Sequence, residues 1–421
     1  MATKYWKGTA TAVAQVSSAT VTGYNAATTY KITVGAGNNA VVISAPGTTD
    51  ANGTAAALRT AWNASTHPYC TGVTAGGTGA AVTLTADTAG VPFTVASSVT
   101  GGGGTFGAFS ATTASAGPND WSTAANWSDG AAPGAGDTVI FENNSVNVCW
   151  GLDQNATDLA ELRIEQSYSG RIGLDRTRFA TTSDGATTVT TVPEYREDYL
   201  IIGWDTGKIG EATGQGGTSG SQRLKLKNDK AGASITTIYG GASGSSETGL
   251  PAIRFLAAHA SADVIVRYAP GGFGIACDEA TETATVGDVY VTDTSSATKL
   301  TIGAGTTLTN LVQDGGANVI MGAAATITEV EVNGGTLEIR GDVTITTLDQ
   351  RGGVVDDRHI KTGGNAITTC DLWGGTLNLQ GTAEARTIGT LNFYAGTLKA
   401  DGDVITLTTL NLKNLYSLSK T

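Results

Sequence analysis

The sequence predicts a mainly β protein: a small N-terminal α+β domain (a sheet plus one helix) followed by a right-handed, single-stranded parallel β-helix. Three observations carry this prediction. The first is a repeat: TLTNL at Thr307, TITEV at Thr326, TITTL at Thr344, AITTC at Ala366, TIGTL at Thr387 and TLTTL at Thr406, spaced 18 to 22 residues apart. The second is composition. The chain has 58 glycines in 421 residues and only 15% charged residues, a turn-rich β composition, and its 40% apolar content excludes a disordered chain. The third is that residues 1–100 alternate apolar and polar positions in several short runs, broken by a single helical stretch.

Taken in order, the runs TATAVAQVSSATVTG, TYKITV, AVVIS, AAVTLTAD and VPFTVASS read as strands. DANGTAAALRTAWNAS lies among them and reads as a helix. Asp50 or Thr54 can cap it, and Ala55, Leu58 and Trp62 share one face. Residues 1–100 therefore read as a small sheet with one helix packed on it. GGGGTFG and SATTASAGPND then mark a Gly/Ser/Ala-rich linker over residues 101–118. The β-helix occupies residues 119–421 and opens on NDWSTAANWSDGAAPGAGDTVIFENN. There Trp121 and Trp127 are placed to cover the open end of the solenoid, with stacking on a sugar as the other reading.

One coil shows why the repeat implies a solenoid. Val330 and Val332, Leu337 and Ile339, and Val343 and Ile345 each alternate with polar residues. Asn333-Gly334-Gly335, Arg340-Gly341-Asp342 and Thr346-Thr347 separate them as bends, so a coil reads as three short strands with apolar residues inside. One coil cannot bury its apolar face alone, whereas stacked coils can. Such crossovers are right-handed. TVGDVYV, AELRIEQSYSGRIGL, YLIIGW, QRLKLKND, ASITTIYGG, AIRFLA and VIVRYA continue the pattern upstream, giving roughly 12–14 coils and a rod of about 60–65 Å. Residues 175–198 and 212–221 read as insertions, which in solenoids often carry contacts.

Charge narrows the function classes. Lys4, Lys7, Lys31 and Arg59 outweigh Asp50 and Asp87 in residues 1–117, so the rest of the chain carries the whole deficit behind the net charge of −12. An acidic body argues against nucleic acid. No apolar run approaches a membrane span, and MATKYWKGTA lacks the apolar core of a signal peptide. Cys70, Cys149, Cys277 and Cys370 lack metal-site spacing and read as buried thiols of a chain made in a reducing cytosol.

The candidates for chemistry are few. VVDDRHIK gathers Asp356, Asp357, Arg358, His359 and Lys361, either as an acid/base or metal cluster or as a solvated bulge whose charges pair locally. The second is favoured, since no acidic cluster stacks on it at coil spacing. Glu279, Glu282 and Asp288 read as a solvated loop, and Asp349 and Asp371 as isolated outward carboxylates. GASGS breaks the GxSxG pattern. His67, His259 and His359 are too far apart for a triad or zinc site, and Tyr168, Tyr239 and Tyr290 are too irregular to stack bases. No catalytic, cofactor-binding or metal-binding residue is assigned, and no cofactor is expected.

Two segments resemble known families. KITVGAGNNAVVIS, TAAALRTAWNAS and VTLTADTAGVPFTV resemble a small α+β module of tailed-phage structural proteins, over about a quarter of the chain. The segment around Trp121–Phe141 resembles the opening of bacterial and phage parallel β-helix proteins. The resemblance implies a virion protein made in the host cytoplasm. It would be a homotrimer whose first domain binds the major capsid protein or another virion protein, as a head decoration or cement protein does. Two alternatives from other classes stand beside it: a tail fibre, spike or adhesin binding a host-surface glycan or receptor, and a polysaccharide-degrading enzyme.

Overall fold

The computed structural model describes residues 1–35, 40–174, 199–211, 223–240, 250–277, 281–292, 296–322, 326–358, 365–380, 386–400 and 405–413. The expected fold class is present: a small sheet domain with one main helix, then a parallel β-solenoid of about nine turns. Every strand pair in the solenoid sheet is parallel, from Thr138–Phe141 at one end to Ile405–Leu412 at the other.

The regular coils differ from the expected three-strand reading in one respect. Each has two strands but three inward faces. Thr326–Val332, Thr344–Gln350, Asn365–Leu372, Arg386–Phe393 and Ile405–Leu412 stack as one long-strand column. Thr336–Ile339, Val354–Asp356, Thr376–Leu379 and Thr397–Ala400 stack as a short-strand column. Val343 and Ile345, read as a third strand, are indeed buried, but the chain bends at Thr346–Thr347 without leaving the ladder. Buried Ile345 and Leu348 are three apart, and the register skips from Ile345↔Ile367 to Thr347↔Thr369. A β-bend thus replaces a loop.

The corner after each long strand does need glycine. Gly335, Gly353, Gly375 and Gly396 all have positive φ. A Cβ on Gly375 would also meet the carbonyl oxygen of Gly353 in the coil below. Coil stacking and left-handed backbone select the same residue.

Two expectations are corrected. The turn count is about nine rather than 12–14, because upstream coils are long: Leu162 pairs with Gly207 and Thr236 with Val264, steps well beyond 18–22 residues. At strand spacing that makes a rod of about 40–45 Å. The stretch read as linker also supplies two strands. Thr105–Phe106 and Ser110–Thr113 pair with Val16–Gly23, so flexible composition there is overridden by ladder hydrogen bonds. The insertions at 175–198 and 212–221 lie outside the described residues.

The first residues belong to the solenoid. Thr3–Tyr5 pairs in parallel with Thr138–Ile140, and Trp6 packs on Trp127 and Phe141. Residues from about Ala10 to Gly117 therefore form an inserted domain. Its two connections lie side by side, with Val13 N–H donating to Ala116 O at 2.7 Å. Fully buried Asn126 clasps both: its Oδ1 accepts from Ala10 N–H, and its Nδ2 donates to Gly117 O. Inside the domain, Asp50 caps helix Ala51–Asn63 by accepting from Gly53 N–H at 2.7 Å. Ala55, Leu58 and Trp62 face the core as expected, and Trp62 Nε1 donates to Val73 O.

Candidate functional site

The VVDDRHIK cluster divides across the coil wall. Register puts Asp356 in the outward column with Glu338 and Asn378, and the next residue, Asp357, turns inward. Asp356 is held bidentately by Arg358, with Nε to Oδ1 at 2.8 Å and Nη2 to Oδ2 at 2.6 Å. That is the local pairing expected of a bulge. Asp357 instead lies buried with Arg386 from the next coil, Nε to Oδ2 at 3.3 Å, and it accepts from Asn365 Nδ2 at 2.6 Å. Arg386 also donates to the Asp357 backbone carbonyl. Burial pushes the Asp357 carboxyl up to about 7, against the pull of Arg386 and Asn365. Its oxygens are taken up inside the core, so it cannot meet a substrate. His359 and Lys361 lie outside the described residues.

Asp349 and Asp371 point outward as expected, but not alone. Register places Glu331, Asp349, Asp371, Asn392 and Asn411 in one column along the rod. Asn392 Nδ2 donates to Asp371 Oδ1 at 2.6 Å, and Asn411 Nδ2 to Asn392 Oδ1 at 2.8 Å. Arg351 bridges Glu331 and Asp349 at 3.0 and 2.8 Å. Asp349 Oδ1 is buried without a hydrogen-bond partner among the described residues.

Two residues further along each strand stands a second column: Arg351, Trp373, Tyr394 and Lys413. Trp373 and Tyr394 stack with ring centroids 3.5 Å apart and planes 7° from parallel. Trp373 is 47% exposed, whereas Trp6, Trp62, Trp121, Trp127 and Trp204 are all at most 2% exposed. Sequence reasoning alone misses this pair. The signal was there: each aromatic directly follows the last inward residue of a repeat, Leu372 and Phe393.

The remaining candidates sort by burial. Trp121 and Trp127 are core residues, which removes them as a sugar platform. With Trp6, Phe141 and Tyr168 they form the plug expected at the solenoid's first coil, at ring distances of 4.7 to 6.1 Å. Glu282 accepts from Tyr199 Oη, and Asp288 accepts from Asn310 and Tyr290, so both are engaged rather than merely solvated. Glu279 and the GASGS stretch lie outside the described residues. His67 accepts from Tyr69 N–H at the start of a short helix. No disulfide joins the four cysteines, and burial pushes the Cys370 thiol up to about 12. No group of three or more His, Cys, Asp and Glu side chains suited to a metal occurs among the described residues, and no described helix is long and apolar enough to cross a membrane. A cleft of about 170 Å³ between the inserted domain and the rod is apolar, lined by Tyr69, Phe93, Pro68, Pro92 and Trp150 among others.

No protein-family description, curated protein sequence or solved structure matches this chain. On the outer face of the rod, the carboxylate–amide column runs beside the stacked aromatics.

Proposed function

We propose that this chain is a non-enzymatic structural protein of a tailed-phage particle, of the head decoration or cement type. Its inserted domain would dock on the major capsid protein or another virion protein, and the solenoid would project as a rod. The observation that carries this reading is the layout at the plugged end. A compact domain is mounted on two adjacent connections clasped by Asn126, and the rod runs away from it. The resemblance of that domain to a phage structural module points the same way. Three copies around one axis would display three rods.

The test is addition of the purified chain to particles of the encoding phage assembled without it, followed by sedimentation and imaging. Stoichiometric binding of trimers to the head is the expected result. Binding at the tail would support the spike reading instead, and a monomer that binds neither structure would overturn the proposal. Release of reducing ends from a polysaccharide, lost in Asp349→Ala or Asp371→Ala, would favour the enzyme reading, since coil-spaced carboxylates approach the separation of a retaining pair, about 5–5.5 Å.

A further inference from the structure

We infer that the outward face built by the second half of the long strands, centred on Trp373, Tyr394, Asp371 and Asn392, is a binding site for an uncharged polysaccharide. The inference goes beyond the docking role proposed above and does not depend on it, because docking is assigned to the opposite end of the molecule.

Three features converge on this face. Register sets Thr369, Asp371 and Trp373 of one coil beside Thr390, Asn392 and Tyr394 of the next. These two coils thus each present a hydroxyl, a carboxylate or amide, and an aromatic ring at two-residue steps, the ring just past the strand end. Sugars are recognised by that combination: planar carboxylates and amides bond adjacent hydroxyl pairs, and apolar ring surface covers the C–H patches between them. Trp373 is large, amphipathic and 47% exposed, where the other large outward positions of these coils are polar or charged.

The site is also preorganised. The hydrogen bonds from Asn392 to Asp371 and from Asn411 to Asn392 fix the polar groups, and the 3.5 Å stack fixes both rings. Little side-chain entropy remains to be lost on binding.

Charge selects the class of glycan. Glu331, Asp349 and Asp371 share the face, and Arg351 is already committed to two of them. Among the described residues, Asp371, which bonds only the neutral amide of Asn392, keeps its charge without a cationic partner at the centre of the face, so an anionic chain would be repelled there and a neutral one would not. The face is open rather than a pocket, so an extended chain lying across several coils fits it better than a single small sugar.

Affinity electrophoresis of the full chain tests the inference, in native gels containing dextran, mannan, galactomannan or mixed-linkage β-glucan. We expect retardation by at least one, with Trp373→Ala and Asp371→Ala each weakening it about tenfold or more, the scale of a central aromatic contact. Lys399→Ala, on the neighbouring face, should bind as the parent does. Because Trp373→Ala also removes the Tyr394 stack, Trp373→Phe serves as a second variant. It keeps the stack and should bind more tightly than the alanine variant. Trp373 should dominate acrylamide quenching of fluorescence, and the retarding glycan should shield it. Absence of retardation in all four gels, or parental retardation of Trp373→Ala, overturns the inference. Failure of particle binding would leave these results unchanged, so the two proposals fail separately.

Discussion

Lys225 and Lys399 occupy the same register column, one at each end of the short-strand stack. The column runs Lys225, Arg254, Gly274, Thr301, Ile320, Glu338, Asp356, Asn378, Lys399. Strand alternation turns all of them away from the core. Yet Lys225 and Arg254 are fully buried, while Lys399 is exposed. Upstream, the Tyr199 ring lies under Lys225 Nζ at 5.6 Å, and Tyr199 Oη reaches across to Glu282. The upstream wall therefore has a second layer over its outer face, whereas downstream the column is covered only by local pairing at Asp356 and Asn378 and reaches solvent at Lys399. One strand pattern serves two environments, and only the downstream one leaves a clean polar–apolar alternation in the sequence.

That contrast can be broken or sharpened by substitution. The largest effect is expected at Arg386, the one cation of the downstream coils held wholly inside, among the described residues. Arg386→Ala strands Asp357 in the core and should cost about 3–5 kcal/mol in denaturant melts above pH 7. Asp357 adds a pH dependence of defined sign. Its folded value, pushed up to about 7, lies above the unfolded value of about 3.9, so the fold holds the proton more tightly than the unfolded chain. Stability should fall as pH rises from about 4 to about 7, and Asp357→Asn should flatten that slope. An unchanged slope in the variant would show that another group sets it.

Next comes Leu337→Ala, which empties a fully buried position in a regular coil and should cost about 2–5 kcal/mol. A change below about 0.5 kcal/mol would mean that the inward register is misassigned. The direct comparison follows. Lys225→Ala should cost about 1.5–3 kcal/mol, since a buried, engaged ammonium is lost. Lys399→Ala, in the same column, should stay within about 0.5 kcal/mol. Equal costs for the two lysines would remove the distinction between the two walls.

The legibility of the fold follows the same division. Downstream, Val330, Val332, Leu337, Ile339, Val343 and Ile345 were all readable as inward, because solvent on the other face enforces period two. The helix was readable because Ala55, Leu58 and Trp62 are local in sequence and Asp50 caps its own turn. Upstream, the doubly buried strands Leu224–Asn228 and Ile253–Ala257 carry lysine and arginine where solvent exposure would be assumed. Their coil lengths vary, so turns were overcounted. Of the candidate site, the column Asp349–Asp371 was half legible as two outward carboxylates one repeat apart. Its continuation through Asn392 and Asn411, and the stack of Trp373 on Tyr394, needed the register.

By itself, the sequence determined that a repeating, glycine-cornered β pattern must stack in parallel, and which side of each downstream strand faces the core. These follow from chain-local physics: side-chain alternation, turn geometry and the inability of one coil to bury its apolar face. Only the tertiary structure decided that Trp6 and Thr3–Tyr5 join a solenoid beginning more than a hundred residues later, and that Asp357 turns inward to meet Arg386. It also decided that Trp373 lies flat against Tyr394. Each is a contact between segments distant in sequence, made by coil register and chain path, which no short window of residues encodes.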